Sequence, residues 1–137
     1  MRIWFLDNKW GVIVVVGTGV DIVKVNRIEK AVNRTEGFLK KSFTTKEINY
    51  FSIINNKYET IAGFFAAKEA MSKALGTGIR GFRLNDIEII TNDLGKPEIF
   101  LSDKIEKLFN LKSYKVHVSI SHTNEDAIAF VILEEVW

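Results

Sequence analysis

The order of the predicted elements places this chain in the α+β class, with helices packed on an antiparallel sheet. An apolar, β-branched run comes first, amphipathic helices follow, and after Gly81 the hydrophobic period changes from helical to alternating. Strands that gather at the end of a chain, instead of alternating with helices, favour an antiparallel sheet over βαβ units. Because the chain has 137 residues, we expect a single domain over residues 12–137, preceded by an extension over residues 1–11.

The first strand is predicted over about Val12–Val20, and Asp21 ends it. A carboxylate at the end of an apolar strand is costly unless it is exposed, paired or bound to a metal. Asp21 therefore either meets solvent or serves a site. The glycines of Gly17–Gly19 do not have the spacing of a P-loop or a dinucleotide fingerprint, and taken alone they indicate a turn.

The first helix is predicted to begin at Asn26, with Glu29 three residues later in a capping-box pattern. Arg27, Lys30 and Arg34 share one face of it at helical spacing. This basic face is either solvated or a docking surface for an acidic partner. No aromatic residues interleave with these charges and the net charge is only +2, so nucleic acid is not an expected partner.

A capping box of Thr44 and Glu47 predicts a second helix, and a third helix is predicted over about Thr60–Leu75. Gly76 and Gly78 mark the end of the third helix.

The third helix carries Glu69 and Lys73 one turn apart, with Ser72 beside them. Such a pair is either a solvated ion pair or part of a site in which a carboxylate holds a metal and an ammonium meets phosphate. The helix alone leaves both readings open.

The second half of the chain is predicted to contain four strands and one short helix. They are the strands Asp86–Thr91 and Pro97–Leu101, a helix Asp103–Phe109 capped by Ser102, and a hairpin of Lys115–Ser121 and Ala127–Glu134. His117 and His122 are five residues apart and should not share a face of their strand. We interpret His117 as structural and His122, at a strand end, as a candidate site residue.

Composition limits the setting in which the protein works. The chain has no cysteine, which fits a reducing cytoplasm. No apolar run approaches the ~20 residues that a membrane-spanning helix needs, so no membrane span is expected.

Three separated motifs together resemble one family, the holo-acyl-carrier-protein synthases, which are small 4′-phosphopantetheinyl transferases. The motifs are Gly17–Val23 (GTGVDIV), Phe65–Gly78 (FAAKEAMSKALGTG) and Ser119–Thr123 (SISHT), and the similarity covers about Val12 to Leu133. The resemblance implies the family's ferredoxin-like half-domain fold. It also implies trimers with active sites at the subunit interfaces. In the implied reaction, coenzyme A donates 4′-phosphopantetheine to a serine of apo acyl carrier protein for fatty acid biosynthesis.

The resemblance also assigns roles to residues of this chain. Asp21 and Glu69 are implied ligands of Mg²⁺, and the implied catalytic residues are Glu69, Lys73 and His122. The implied coenzyme A contacts are Ser72, Lys73, Gly76, His122 and Lys57; the implied carrier-docking residues are Arg27, Lys30 and Arg34. Phe64 stands where many members of the family carry arginine, so one phosphate contact is expected to be absent or replaced. Alternatives are a transferase that serves polyketide or peptide synthase carriers, or a non-catalytic binder of carrier protein or coenzyme A.

Overall fold

The computed structural model describes residues 11–137. The predicted extension falls almost wholly outside the described residues, and the domain boundaries stay a prediction. The chain contributes five strands, five α-helices and one 3₁₀ turn to the described part. In chain order they are β1 (Ile13–Lys24), α1 (Val25–Arg34), α2 (Phe38–Ser42), α3 (Thr45–Ile53), α4 (Tyr58–Ala74), a 3₁₀ turn (Leu84–Asp86), β2 (Ile87–Thr91), β3 (Pro97–Leu101), α5 (Asp103–Leu108), β4 (Tyr114–His122) and β5 (Asp126–Val136).

The strands form two antiparallel sheets, which confirms the predicted α+β class. One sheet has the order β1-β5-β4, and the other is the hairpin of β2 and β3. The predicted β4–β5 hairpin is confirmed: Thr123 Oγ1 accepts hydrogen bonds from the N–H groups of Glu125 and Asp126 in its loop. Both hairpins close locally, and β1 joins β5 from the far end of the chain.

Helix α4 is the centre of the core because several different elements cover it. The helix packs mainly on β1 and β5, and it also contacts β4, α1 and β2. Most of its residues from Ile61 to Ala74 are buried. No helix in residues 11–137 is long and apolar enough to cross a membrane.

Gly17 and Gly19 allow the backbone of α4 to approach β1 closely. A Cβ atom on either glycine would lie 1.8 Å from a carbonyl oxygen, that of Ala74 for Gly17 and that of Ala70 for Gly19. Both glycines pair with β5 inside the strand, so their interpretation as turn residues is wrong. Glycine is required at both positions because the sheet and the helix leave no space for a side chain between them.

The predicted start of the first helix is wrong. Helix α1 begins at Val25 with Lys24 as its N-cap, and no side chain caps it. The reason is a long-range one: β1 stays paired with β5 as far as Lys24 and Asp126, and the Val25 N–H then donates to the Glu125 carbonyl at 2.8 Å. Asn26 is therefore an exposed residue within the first turn.

The other predicted helix caps and helix ends are confirmed. The capping box of Thr44 and Glu47 is present and starts α3. Gly76 ends α4 with a φ of +92°, and its N–H donates to the Lys73 carbonyl. Ser102 caps α5. Helix α2, a single short turn after Gly37, was not predicted from the sequence, and α4 begins two residues before its predicted start.

The face of the three-stranded sheet that points away from α4 has no covering element among the described residues. Antiparallel pairing places its apolar side chains in two rows across the strands. The rows are Val20, Phe130 and Ser119, and Ile22, Ile128 and Ser121. The four apolar members are each more than 40% exposed.

Candidate active site

Asp21 and Lys73 form the first contact of the candidate site. Lys73 Nζ lies 3.2 Å from Asp21 Oδ1 and donates a second hydrogen bond, at 2.8 Å, to the carbonyl of Val20. The Asp21 side chain is 18% exposed and that of Lys73 is 51% exposed. Of the two readings left open by the helix, the structure shows Lys73 paired with Asp21 and not with Glu69. The prediction that Asp21 ends the first strand is wrong, because Asp21 pairs with Ala129 and β1 continues to Lys24.

Glu69 lies one helical turn before Lys73 and is coupled to the same group of charges. Its pKa is raised, first because burial removes solvent from the carboxylate and second because Asp21 is negatively charged nearby. The positive charges of Lys73 and Arg27 act in the opposite direction. Two carboxylates and an ammonium from distant parts of the sequence therefore meet at one place.

The close packing of β1 on α4 explains how these side chains meet. Gly19 touches the backbone of α4, and Asp21, two residues later on the strand, points to the same face. Glu69 and Lys73 are four residues apart, so they project from one face of the helix toward β1. A Cβ at Gly19 would push β1 away from α4, the two elements that hold the side chains of the site.

Ser72 and Gly76 lie near this cluster, but they present different groups. The Ser72 hydroxyl is buried and donates a hydrogen bond of 2.6 Å to the Glu69 carbonyl within its own helix. Gly76 is exposed at the end of α4. The backbone around Gly76, rather than the Ser72 hydroxyl, is open to a ligand in this conformation.

His122 and Lys57 lie at the opposite, N-terminal end of α4. His122 lines a cavity of about 170 Å³ together with Thr60 and Phe64 of the helix, Gly95 of the β2–β3 turn and Pro97 at the start of β3. Lys57 is the exposed N-cap of α4. Thr60 and Glu69 are nine residues apart, which is about 14 Å along a helix. One chain by itself therefore does not bring His122 to the carboxylates.

The predicted basic face is present on α1. Arg27, Lys30 and Arg34 are exposed, whereas Val25 and Ile28 on the other side of the helix are buried. Arg27 is the member nearest to the site, since its charge acts on the pKa of Glu69. The face and the charge cluster thus adjoin each other.

Lys68 and Glu47 are the important residues whose roles the sequence reading missed. Both side chains are fully buried and form an ion pair of 2.6 Å beside Glu69. A signal was present, because Lys68 lies four residues after Phe64 and three before Met71, on an apolar stripe. A lysine in such a stripe requires a buried partner, and Glu47 is that partner.

The donor set fits a divalent cation that is shared with a phosphate group. Mg²⁺ is commonly held by one or two protein carboxylates, with waters and phosphate oxygens as its other ligands. Asp21 and Glu69 supply two carboxylates whose mutual repulsion a cation would relieve. Residues 11–137 contain no group of three or more His, Cys, Asp or Glu side chains that could bind one metal ion together. A cation bound here would therefore need ligands from water or phosphate as well.

Comparison with known proteins gives one consistent family. A family model described as the 4′-phosphopantetheinyl transferase superfamily matches residues 17–131. The chain is 53% identical over 122 residues to the holo-[acyl-carrier-protein] synthase of Clostridium beijerinckii, an alignment that covers 89% of this chain and 99% of that relative.

Solved structures agree with the sequence match. The Helicobacter pylori holo-[acyl-carrier-protein] synthase in complex with coenzyme A is 40% identical with a TM-score of 0.75, over 85% of this chain and 98% of that one. The Bacillus anthracis holo-(acyl-carrier-protein) synthase in complex with CoA (3′,5′-ADP) is 40% identical with a TM-score of 0.74, over 88% and 97%. The architecture built above is therefore similar to theirs across most of the described residues.

Proposed function

The chain belongs to the 4′-phosphopantetheinyl transferase superfamily, and from that premise we propose how its own residues carry out the transfer. The protein is an enzyme that moves the 4′-phosphopantetheine group of coenzyme A to a serine of apo acyl carrier protein. The product is the holo carrier that fatty acid biosynthesis uses. The observation that carries the proposed mechanism is the meeting of Asp21, Glu69 and Lys73.

The reaction breaks a phosphoanhydride bond of coenzyme A and forms a phosphoester bond to serine. The serine oxygen of the carrier bonds to the phosphorus that bears the pantetheine arm, and the bond from that phosphorus to the bridging pyrophosphate oxygen breaks. Adenosine 3′,5′-bisphosphate leaves with the electron pair of that bond, and the serine proton passes to a base. Such transfers depend on positioning and charge neutralisation more than on a covalent catalyst.

Asp21 and Glu69 are the proposed holders of Mg²⁺ on the pyrophosphate. Mg²⁺ bound there would supply Lewis-acid stabilisation of the charge on the phosphate oxygens. The two carboxylates come from different elements, β1 and α4, so their separation is fixed by packing and not by a flexible loop. Glu69 is also the proposed carboxylate that assists removal of the serine proton, because it lies on α4 beside Lys73 and the basic face of α1.

Lys73 and the end of α4 are the proposed contacts of the coenzyme A phosphates. Lys73 is half exposed and carries an ammonium that acts as a point charge toward phosphate. Exposed backbone at Gly76 allows a close approach. For Ser72 a phosphate contact requires its hydroxyl to leave the Glu69 carbonyl, so we assign it a supporting role.

The basic face of α1 is the proposed docking surface for the carrier. Arg27, Lys30 and Arg34 are exposed together and adjoin the carboxylate cluster. Acyl carrier proteins are acidic, and complementary charge raises the association rate and fixes the orientation of a partner. Docking there would bring the carrier serine toward Glu69.

We propose a homotrimer in which His122 and Lys57 serve the active site of a neighbouring subunit. Within one chain His122 lies in a cavity apart from the carboxylates. The open sheet face exposes Val20, Ile22, Ile128 and Phe130, the kind of apolar patch that marks an interface. We place the reaction in the cytoplasm, in keeping with a chain that has no cysteine.

The test is a reconstituted transfer. The full chain is mixed with apo acyl carrier protein, coenzyme A and MgCl₂, and the intact mass of the carrier is measured. We expect the phosphopantetheine adduct, its loss with excess EDTA, and its return when Mg²⁺ is restored. Turnover that survives EDTA would remove the metal role. Competition between fatty acid and polyketide or peptide synthase carriers then identifies the preferred partner.

A further inference from the structure

The bridge between Asp21 and Lys73 has a consequence beyond positioning. We propose that, in the substrate-free protein, the Lys73 ammonium occupies the position beside the Asp21 carboxylate where a divalent cation would bind. The ammonium must leave this position before the cation can bind to Asp21. This inference rests on the proposed metal role of Asp21. If it is correct, the affinity for the divalent cation depends on whether pyrophosphate is bound, and the affinity for pyrophosphate depends on whether the cation is bound.

Lys73 is held by two acceptors that belong to β1. Its Nζ donates to Asp21 Oδ1 at 3.2 Å and to the Val20 carbonyl at 2.8 Å. With half of the side chain exposed, Lys73 has room to swing from these acceptors into solvent or toward a ligand. The contact is therefore a displaceable one, unlike the buried pair of Lys68 and Glu47.

Asp21 and Glu69 differ in whether a positively charged side chain is in contact with the carboxylate. Among the described residues, Asp21 has a cation within 4.0 Å, whereas Glu69 has none. A divalent cation that approaches both carboxylates meets an ammonium already at Asp21, and the two positive charges repel each other. The free protein should therefore bind the cation more weakly than its two carboxylates alone would allow.

Pyrophosphate changes this competition because it offers acceptors to both cations. Once phosphate oxygens are present, the ammonium of Lys73 can move to them and leave Asp21 to the metal. By thermodynamic linkage, the cation and coenzyme A then strengthen each other's binding by the same factor. Lys73 thus suppresses metal binding without substrate and supports it with substrate.

The test measures cation binding and not turnover. Mn²⁺ is titrated into the full-length protein without coenzyme A, and free Mn²⁺ is followed by its EPR signal. The variant is Lys73→Met. One control is Lys24→Met, which removes another exposed lysine–aspartate bridge, that with Asp126 at 3.0 Å. A second control is Arg27→Met, which removes a positive charge that acts on Glu69 but does not bond to Asp21.

We expect Lys73→Met to bind Mn²⁺ about three- to fivefold more tightly than the wild type, the size of effect that a half-exposed bridge can supply. Lys24→Met should change the Mn²⁺ affinity by less than about twofold, and Arg27→Met should change it by less than Lys73→Met does. Neither residue bonds to Asp21, so each acts on the bound cation only through long-range charge interactions that solvent and salt screen. In a second titration with saturating coenzyme A and no carrier protein, the gain in Mn²⁺ affinity should be smaller in Lys73→Met than in the wild type. Equal or weaker Mn²⁺ binding by Lys73→Met, or an equal gain in Arg27→Met, would overturn the inference.

A failure here is separable from a failure of the proposed function. Asp21→Asn should lose Mn²⁺ binding if Asp21 is a metal ligand. If it does so while Lys73→Met binds no more tightly than the wild type, the metal role stands and the competition does not. If Asp21→Asn binds Mn²⁺ as the wild type does, the metal role of Asp21 is wrong and the inference falls with it. The transfer of phosphopantetheine by the wild type is checked independently by carrier mass.

Discussion

Lys68 and Glu47 form an ion pair with Nζ and Oε1 2.6 Å apart, and neither side chain is exposed to solvent. Lys68 also donates to the carbonyls of Leu84 and Ile87, while Glu47 Oε2 accepts the Ile89 N–H. The pair therefore ties α4 to α3 and to the start of β2. Lys68 directly precedes Glu69, so the same contacts set the rotation of α4 that aims Glu69 at β1.

Lys68→Met should destabilise the protein by about 3–5 kcal/mol, because removal of one partner leaves the other charge buried and unpaired. Urea denaturation measures the loss. Lys73→Met is the matched control, since it breaks a half-exposed bridge and should cost no more than about 1 kcal/mol. The double variant Lys68→Met/Glu47→Gln should be more stable than Lys68→Met alone, because glutamine removes the unpaired charge and keeps an oxygen that accepts a backbone N–H. Equal costs for the two lysine variants would contradict the importance of the buried pair.

Glu69→Gln should make the protein more stable while it lowers turnover by about a hundredfold or more. The pKa of Glu69 is raised above 4.5, so the folded protein binds more protons than the unfolded chain between 4.5 and the raised value. The free energy of unfolding of the wild type therefore falls as the pH rises through that window and stays reduced at neutral pH. Glutamine has no proton to lose in this range, so the stability difference should grow across the window in EDTA-containing buffer. A difference that is independent of pH would contradict the assignment.

The local signals of the sequence predicted those parts of the fold that depend on neighbouring residues. The Thr44–Glu47 cap, the glycine end of α4 and the Ser102 cap are satisfied within three or four residues, and all are present. The Asn26 cap failed because Lys24 pairs with Asp126, 102 residues later in the chain, and this pairing keeps β1 extended up to the residue where α1 begins. Propensity is a weak guide wherever such tertiary contacts compete with it.

The candidate site shows the same division between local and distant contacts. Helical spacing placed Glu69 and Lys73 on one face, but spacing alone could not decide between an ion pair of these two residues and a shared site. Asp21, brought near by the close approach of β1, takes Lys73 instead. The resemblance to a family supplied the link between these segments, which periodicity within one sequence could not.

Gly19→Ala should destabilise the protein by about 3 kcal/mol or more and reduce turnover. The added Cβ would lie 1.8 Å from the Ala70 carbonyl oxygen, and backbone cannot move aside cheaply. Thr18→Ala is the control, since Thr18 is exposed next to Gly19 and on the other face of β1. Thermal unfolding and the transfer assay measure both effects. Wild-type stability in Gly19→Ala would show that α4 does not need this close contact.

Arg27→Glu should raise the KM for the carrier and weaken its dependence on salt, with little change in the KM for coenzyme A. Reversal of a charge on a docking face lowers the association rate of an acidic partner, and salt screens that effect. Lys104→Glu on α5 is the control, because it makes the same change of charge on another exposed helix. Initial rates at several salt concentrations separate the two. Equal carrier KM values in both variants would refute docking on α1.

Co-expression of Asp21→Asn and His122→Ala chains should restore activity that neither variant has alone, if each site takes its carboxylates from one subunit and His122 from the next. In a randomly mixed trimer, a site is intact when its first subunit carries only His122→Ala and the adjacent one only Asp21→Asn. That combination occurs at about one quarter of the sites in a closed ring with head-to-tail contacts. We therefore expect about 25% of wild-type turnover per site, read from the intact mass of the carrier. Each single variant co-expressed with the Asp21→Asn/His122→Ala double variant is the control, and neither mixture should recover activity because no site is complete. If the two single variants stay inactive together, His122 does not complete a neighbour's site and its cavity at the N-terminal end of α4 needs another role.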